Sequence, residues 1–343
     1  MSLSKKGLVL GAILGVVLAG CGSEEKKENK KVVKTIMSMD IDSLNPYKMV
    51  SSGTEEIMMN VFEGLVMPDV DGGIIPAVAK DYKISDDGLT YTFTIRDNIK
   101  FHNGNPLDVK DVEFSLRKMS GREGDTPAQA MFANIKDIKI TGDNEVTIEL
   151  SQPDSAFIYS MTEAIVPDEN RDSLDKNPIG TGAFKVASYE KEQKLTLTKN
   201  NDYWGEKAKI DDVEVFVTPN AETAFLKLLS GEINMLPRVD SKRVNELKNF
   251  KTVSGAQNTV QLLALNNKFE PFSHKEVREA INLAIDKDAI IKNVMGGLGI
   301  KLETNMSPIM KKYCIENIGE TRDVEKAKEL LAKAGYSDLT FTV

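Results

Sequence analysis

The sequence predicts an α/β fold spread over two or three domains, and three observations carry that expectation. Period-two alternation, as at Leu89, Tyr91, Phe93 and Ile95, reads as half-buried strand. Apolar residues three and four apart, as at Val277, Ala280, Ile281 and Ala284, read as amphipathic helix. The length of 343 residues exceeds what one hydrophobic core usually organises. With 41% hydrophobic and 28% charged side chains the chain can bury a sizeable core, so a wholly disordered or collagen-like protein is excluded.

The first segment precedes the fold. Residues 7–19 form the single apolar run long enough to raise a membrane question, with Lys5 and Lys6 before it and Leu18, Ala19, Gly20 and Cys21 closing it. A charged start, an apolar centre and small residues mark residues 1–20 as a secretory signal, too short and wrongly flanked for a stable membrane span. The Leu-Ala-Gly-Cys tetrad resembles the bacterial lipobox, whose cysteine becomes a lipid-carrying N-terminus; an ordinary signal with a chance cysteine is the other reading. Under the first, acyl chains on Cys21 contribute about 0.8 kcal/mol per buried methylene and hold an exported protein on the outer face of the cytoplasmic membrane. Cys314 then has no intrachain disulfide partner. Residues 21–31 carry much charge and no large apolar side chain, so a flexible tether is expected there.

Residues 32–38 read as a strand that runs into the punctuation of Asn45 and Pro46. Ile57, Met58, Val61, Phe62 and Leu65 have helical spacing, which predicts a helix over residues 54–65. Asp86, Asp87 and Gly88 mark a hairpin, and Asn103-Gly104 marks another. Residues 106–119 read as helix, 135–150 as a hairpin turning at Gly142, and 180–217 as further strands. Residues 221–230 form an amphipathic helix closed by Gly231. The last quarter is helical: Ser273 and Glu276 form a capping-box pattern, while Asp286 and Asp323 cap two more helices. Residues 339–343 have a strand pattern.

Forty-four basic against 52 acidic side chains give a net charge of −8, which does not favour nucleic acid phosphates, and no nucleic-acid partner is expected. Catalysis has little to stand on. His102 and His274 alone can act as bases near neutral pH, and both are expected at exposed structural positions beside a turn and at a helix start. No Gly-x-Ser-x-Gly, His-Glu-x-x-His or P-loop pattern occurs, so no catalytic residue is named and an enzyme is not expected. Asp69, Asp71 and Gly72 lack the remaining ligands of a calcium loop and read as a turn; Gly296, Gly297 and Gly299 read as a connection. No metal site and no cofactor are expected.

Several blocks carry a family resemblance. They are Phe62-Glu63-Gly64-Leu65, the stretch from Gly73 through Pro76 to Ala79, Asp87-Gly88-Leu89-Thr90-Tyr91, Phe101-His102-Asn103-Gly104, Gly180-Thr181-Gly182-Ala183-Phe184, Asn201-Asp202-Tyr203-Trp204, and Val277-Arg278-Glu279-Ala280. Together they resemble the peptide-binding solute receptors of ABC importers, whose branches take oligopeptides, dipeptides, nickel complexes or sugars. Tyr82, Asn234 and Ala183 depart from the residues common there. Each block also has a plain physical role: the glycines suit turns and close backbone approach, and Trp204 suits a core.

The resemblance implies a two-lobed clamp of the type II periplasmic-binding-protein kind with an inserted subdomain. Lobe one maps onto residues 32–72 and 179–265, the insertion onto 73–178, and lobe two onto 266–343, with the expectation that lobe two continues past this sequence. It implies a monomer that captures short peptides and delivers them to ABC permease subunits. A nickel chelate or another small solute is the alternative cargo; an extracellular hydrolase or a signalling lipoprotein is the alternative of another class. The ligand-binding residues it implies follow the first strand, at Ser38, Met39, Asp40, Ile41 and Asp42. There Asp40 and Asp42 face a cationic peptide terminus or else serve as turn and cap aspartates. On the other wall, a strand over residues 258–267 offers Asn258, Gln261, Asn266 and Asn267 to peptide amides, or merely ends in ordinary polar residues.

Overall fold

The computed structural model describes residues 30–70, 72–123, 129–257, 259–310, 314, 315, 319 and 321–342. The expected signal segment and Cys21 therefore lie outside the described residues, as does Asn258. Strand β1 (Val32–Met37) is followed by α1 (Ser52–Met58), which is shorter than its apolar spacing predicts. The carbonyls of Asn60 and Val61 are recruited instead by the backbone N–H groups of Phe184 and Gly182, at 3.0 Å each. A tertiary pairing thus takes the acceptors that a longer helix would have used.

The next segment forms two sheets. Strands β2 (Val66–Pro68) and β3 (Ile74–Pro76) make a small antiparallel pair. Strands β4 (Ala79–Ile84) and β5 (Thr90–Ile95) form the hairpin expected around Gly88, whose φ of +67° suits a glycine. At Asn103-Gly104 the chain closes only an isolated bridge, Lys100 to Pro106. Helix α2 (Val109–Met119) begins after Asp108, which accepts from Lys110 N while Asp111 accepts from Asp108 N, a capping box. Strands β6 (Ile135–Gly142) and β7 (Glu145–Leu150) complete a sheet of order β4-β5-β7-β6, and α3 (Phe157–Ser160) follows. Alternation puts Tyr91, Phe93 and Ile95 of β5 and Val146, Ile148 and Leu150 of β7 into one core beneath α2. Each such side chain contributes about 1.5–3 kcal/mol by leaving water.

Strands β8 (Phe184–Glu190), β9 (Lys194–Lys199) and β10 (Asp212–Val217) return to β1. The sheet order is β1-β10-β9-β8, with β1 parallel to β10 and the other pairs antiparallel. Its core holds Met37, Ile41, Phe62, Phe184, Leu195, Leu197 and Val215. Helix α4 (Ala221–Ser230) is capped by Asn220 and ends at Gly231, φ +79°, as the sequence predicts.

Beyond α4 come α5 (Glu270–Ser273), α6 (Lys275–Ala284), α7 (Lys287–Asn293) and α8 (Val324–Lys333). Ala280 and Leu283 of α6 pack on Ala327 of α8. Asp286 and Asp323 cap α7 and α8 as expected. Ser273 does not cap α6: it ends α5, its hydroxyl donates to Glu270 O at 2.6 Å, and His274 takes the cap position without a side-chain bond. Residues 259–266 and 339–342, both read from sequence as strands, pair with no strand among the described residues. Alternation supplies a face for burial, but a strand exists only where a neighbour supplies the ladder.

Candidate functional site

The parallel pair β1–β10 defines one end of the first sheet, and loops leave it there as they do at ligand crevices of α/β sheets. Lys31 O accepts from Asp211 N and Met37 O accepts from Thr218 N, both at 2.8 Å, so the odd-numbered residues of β1 bond inward to β10. By the alternation of a parallel ladder, the even-numbered residues face the free edge. Asn234 covers the first part of that edge. Its Oδ1 accepts from Lys34 N at 2.8 Å, its Nδ2 donates to Val32 O at 2.9 Å, and its own N–H reaches Lys34 O at 3.0 Å. The next outward groups, the N–H and C=O of Ile36, take no hydrogen bond among the described residues, and the Ile36 side chain is half-buried.

Residues 38–42 follow directly. Ser38 is exposed and Met39 is 64% exposed, whereas Ile41 is buried in the core of the first sheet. Asp40 and Asp42 are both engaged within the chain. Asp40 Oδ2 accepts from Tyr189 OH and from Glu192 N, each at 2.8 Å, and Asp40 Oδ1 is buried with no partner among the described residues. Burial raises the Tyr189 phenol above its ordinary value, and the adjacent Asp40 carboxylate adds to that. Asp42 Oδ2 accepts from Val50 N at 2.8 Å and Ser51 N at 3.0 Å, ahead of α1. Partial burial works to raise the Asp42 carboxyl, but its hydrogen bonds outweigh that and hold it below the usual range.

The second expected wall is differently built. Gln261, Asn266 and Asn267 are exposed. Asn266 is spent locally: its side chain accepts from Lys268 N at 3.0 Å and its carbonyl from Phe269 N at 2.9 Å, leading into α5. Among the described residues no hydrogen bond or ion pair joins residues 38–42 to Gln261, Asn266 or Asn267.

A buried polar seam was legible as motif but not as network. Glu63 accepts from Tyr203 OH (2.6 Å), Thr181 Oγ1 (2.7 Å) and Trp204 Nε1 (2.8 Å). Arg96 stacks over the half-buried Trp204 ring at 4.8 Å. Burial nevertheless keeps the Glu63 carboxyl above its ordinary value, against the donors and Arg96. Beside it His102, expected exposed, is largely enclosed. Its Nε2 donates to Gly182 O at 3.0 Å and its Nδ1 accepts from Gly180 N at 3.3 Å. That pattern requires the neutral ring, and burial depresses the imidazole to about 4. The side-chain hydrogen bonds of Glu63 and His102 all run to other groups of the chain: Tyr203, Thr181 and Trp204 for Glu63, the backbone of Gly180 and Gly182 for His102.

The profile of the bacterial extracellular solute-binding proteins, family 5 middle, matches residues 73–343. The chain belongs to this family. It is 29% identical over 294 residues to the dipeptide-binding protein of Escherichia coli K12, covering 76% of this chain and 55% of that protein. To the nickel-binding periplasmic protein of the same organism it is 29% identical over 321 residues, covering 89% and 61%. The chain thus spans little more than half the length of the curated relatives it matches. The structure of the ABC transporter-associated periplasmic binding protein DppA from Helicobacter pylori, in complex with the peptide STSA, superposes with a TM-score of 0.71 at 29% identity, covering 90% of this chain and 67% of that one. The α/β fold expected from the sequence is therefore the periplasmic-binding-protein fold, and these relatives are binding proteins rather than enzymes.

Proposed function

We propose that the protein is the substrate-binding component of an ABC importer and captures a short peptide between two lobes for delivery to permease subunits. The observation that carries this reading is the edge of β1 at Ile36, whose N–H and C=O take no hydrogen bond among the described residues, next to the exposed Ser38 and Met39. An extended peptide adds to such an edge through its own backbone, which makes recognition tolerant of sequence. Ile36 N–H, Ile36 C=O and Ser38 N–H supply three rungs. At about 1 kcal/mol net each they contribute roughly 3 kcal/mol, well short of the ~8 kcal/mol of a micromolar complex. A second wall is required, which is the physical case for a clamp closing around the ligand. In this reading residues 32–72 and 179–265 form lobe one, 73–178 its insertion, and residues from 266 onward belong to lobe two. Export and a lipid anchor at Cys21 complete it.

The nickel-binding relative motivates one other cargo, a nickel chelate. Both ring nitrogens of His102 are engaged by backbone, and His274 Nε2 lies 3.0 Å from Glu270, which weighs against a direct histidine ligand from either. Isothermal titration with di- to pentapeptides, and separately with nickel–histidine, tests the choice. Saturable heat from peptides is expected; heat from the chelate alone would replace the peptide reading.

A further inference from the structure

The segment that carries the exposed Ser38 and Met39 is gripped by the tip of a distant hairpin. The turn between β8 and β9 brings Glu192 N and Tyr189 OH onto one oxygen of Asp40, and the same phenol lies 3.3 Å from Ile41 O. Glu192 has φ +59°, a left-handed conformation unfavourable for a residue other than glycine, and its N–H is the one aimed at Asp40. The hairpin tip is tied to the same sheet end from the other side, where Val217 N donates to Gln193 O at 2.9 Å. The remaining Asp40 oxygen is buried with no partner among the described residues. A carboxylate meant to receive a peptide ammonium would present an oxygen outward; this one is turned into the protein.

We infer that Asp40 is a positioning residue: with Tyr189 and Glu192 it fixes residues 38 and 39 at the end of β1, in the place from which the strand edge meets a peptide. This rests on the peptide reading above, and it changes the role of Asp40 from ligand contact to support. A support acts through its hydrogen bonds, so removing either partner has the same effect on binding, and removing both adds little. A direct charge contact would make Asp40 matter and Tyr189 not.

The test is a double-mutant cycle of Asp40→Asn and Tyr189→Phe in the full chain, titrated with whichever of di-, tri- or tetra-alanine gives most heat to the unmodified protein. Melting temperatures are recorded beside each titration. Each single variant is expected to weaken binding about 3- to 10-fold, with the double variant within about 2-fold of the weaker single. Loss in Asp40→Asn with none in Tyr189→Phe would overturn the inference in favour of a direct contact. Multiplying effects, or no effect in either, would overturn it as well. Should Asp40→Asn not fold, Tyr189→Phe decides alone, weakened binding supporting the inference and unchanged binding refuting it. If the unmodified protein takes up no peptide, the peptide reading fails and this inference with it; unaltered peptide binding in the variants sinks the inference only.

Discussion

The indole N–H of Trp204 donates to the Glu63 carboxylate at 2.8 Å across 141 positions of sequence. Three neutral donors converge on that one buried carboxylate, so removing it strands all of them. Glu63→Ala is expected to cost about 3 kcal/mol or more, and Trp204→Phe about 1–3 kcal/mol. Urea unfolding midpoints at neutral pH measure both; a Trp204→Phe midpoint equal to that of the unmodified protein would show that the bond contributes nothing.

Acid should separate the two titrating groups of this seam. His102 is depressed from 6.5 to about 4 in the folded chain, so its contribution is full above pH 6.5 and is lost as pH falls through 4. Because the ring is not wholly enclosed, the loss is expected at about 1–3 kcal/mol. Glu63 is raised above 4.5, so its contribution is full below pH 4.5 and is lost as pH rises through its folded value. Thermal unfolding between pH 4 and 8 should therefore flatten in His102→Gln between pH 4 and 6.5. An acid sensitivity unchanged by that substitution would assign the effect to other groups.

Close backbone approach makes a sharper test of the seam. A Cβ on Gly180 would overlap the carbonyl of Val61, and one on Gly182 the carbonyl of Asn60, both rigid neighbours. Gly182→Ala should destabilise by about 3 kcal/mol or prevent folding. Gly53 in α1 meets nothing nearer than Ser51 Oγ at 3.7 Å, so Gly53→Ala should be neutral or stabilise by up to about 1 kcal/mol. Parallel melting curves of the two variants check the contrast.

Most elements were legible because their cause is local. The caps at Asp286 and Asp323 and the stop at Gly231 lie within a few residues of what they cap. The failures have non-local causes. The helix expected to reach Leu65 ends at Met58 because carbonyls 60 and 61 pair with residues 184 and 182, more than a hundred positions away. Residues 259–266 carry the apolar run Leu262–Leu265 but pair with no strand among the described residues. In the candidate site, that residues 38–42 follow a first strand was readable from the pattern of residues 32–38. The inward commitment of Asp40 was not, because its partners Tyr189 and Glu192 come from a hairpin that no local pattern connects to it.

Asn234 occupies the first rungs of the β1 edge with a side chain that both accepts and donates. Asn234→Ala should uncover Lys34 N and Val32 O and cost about 1–2 kcal/mol. It should also extend the free edge by one rung. Amide exchange at Lys34 is the direct readout, faster in the variant if the side chain is its protector.

The central claim is that a peptide pairs with β1 at Ile36 and Ser38. Residue-resolved hydrogen exchange, with and without millimolar short peptide, tests it most directly. The account predicts slowed exchange of the Ile36 and Ser38 amides on peptide addition, with Lys34, already bonded to Asn234, unchanged. Peptide binding that leaves Ile36 and Ser38 exchanging as before would contradict it.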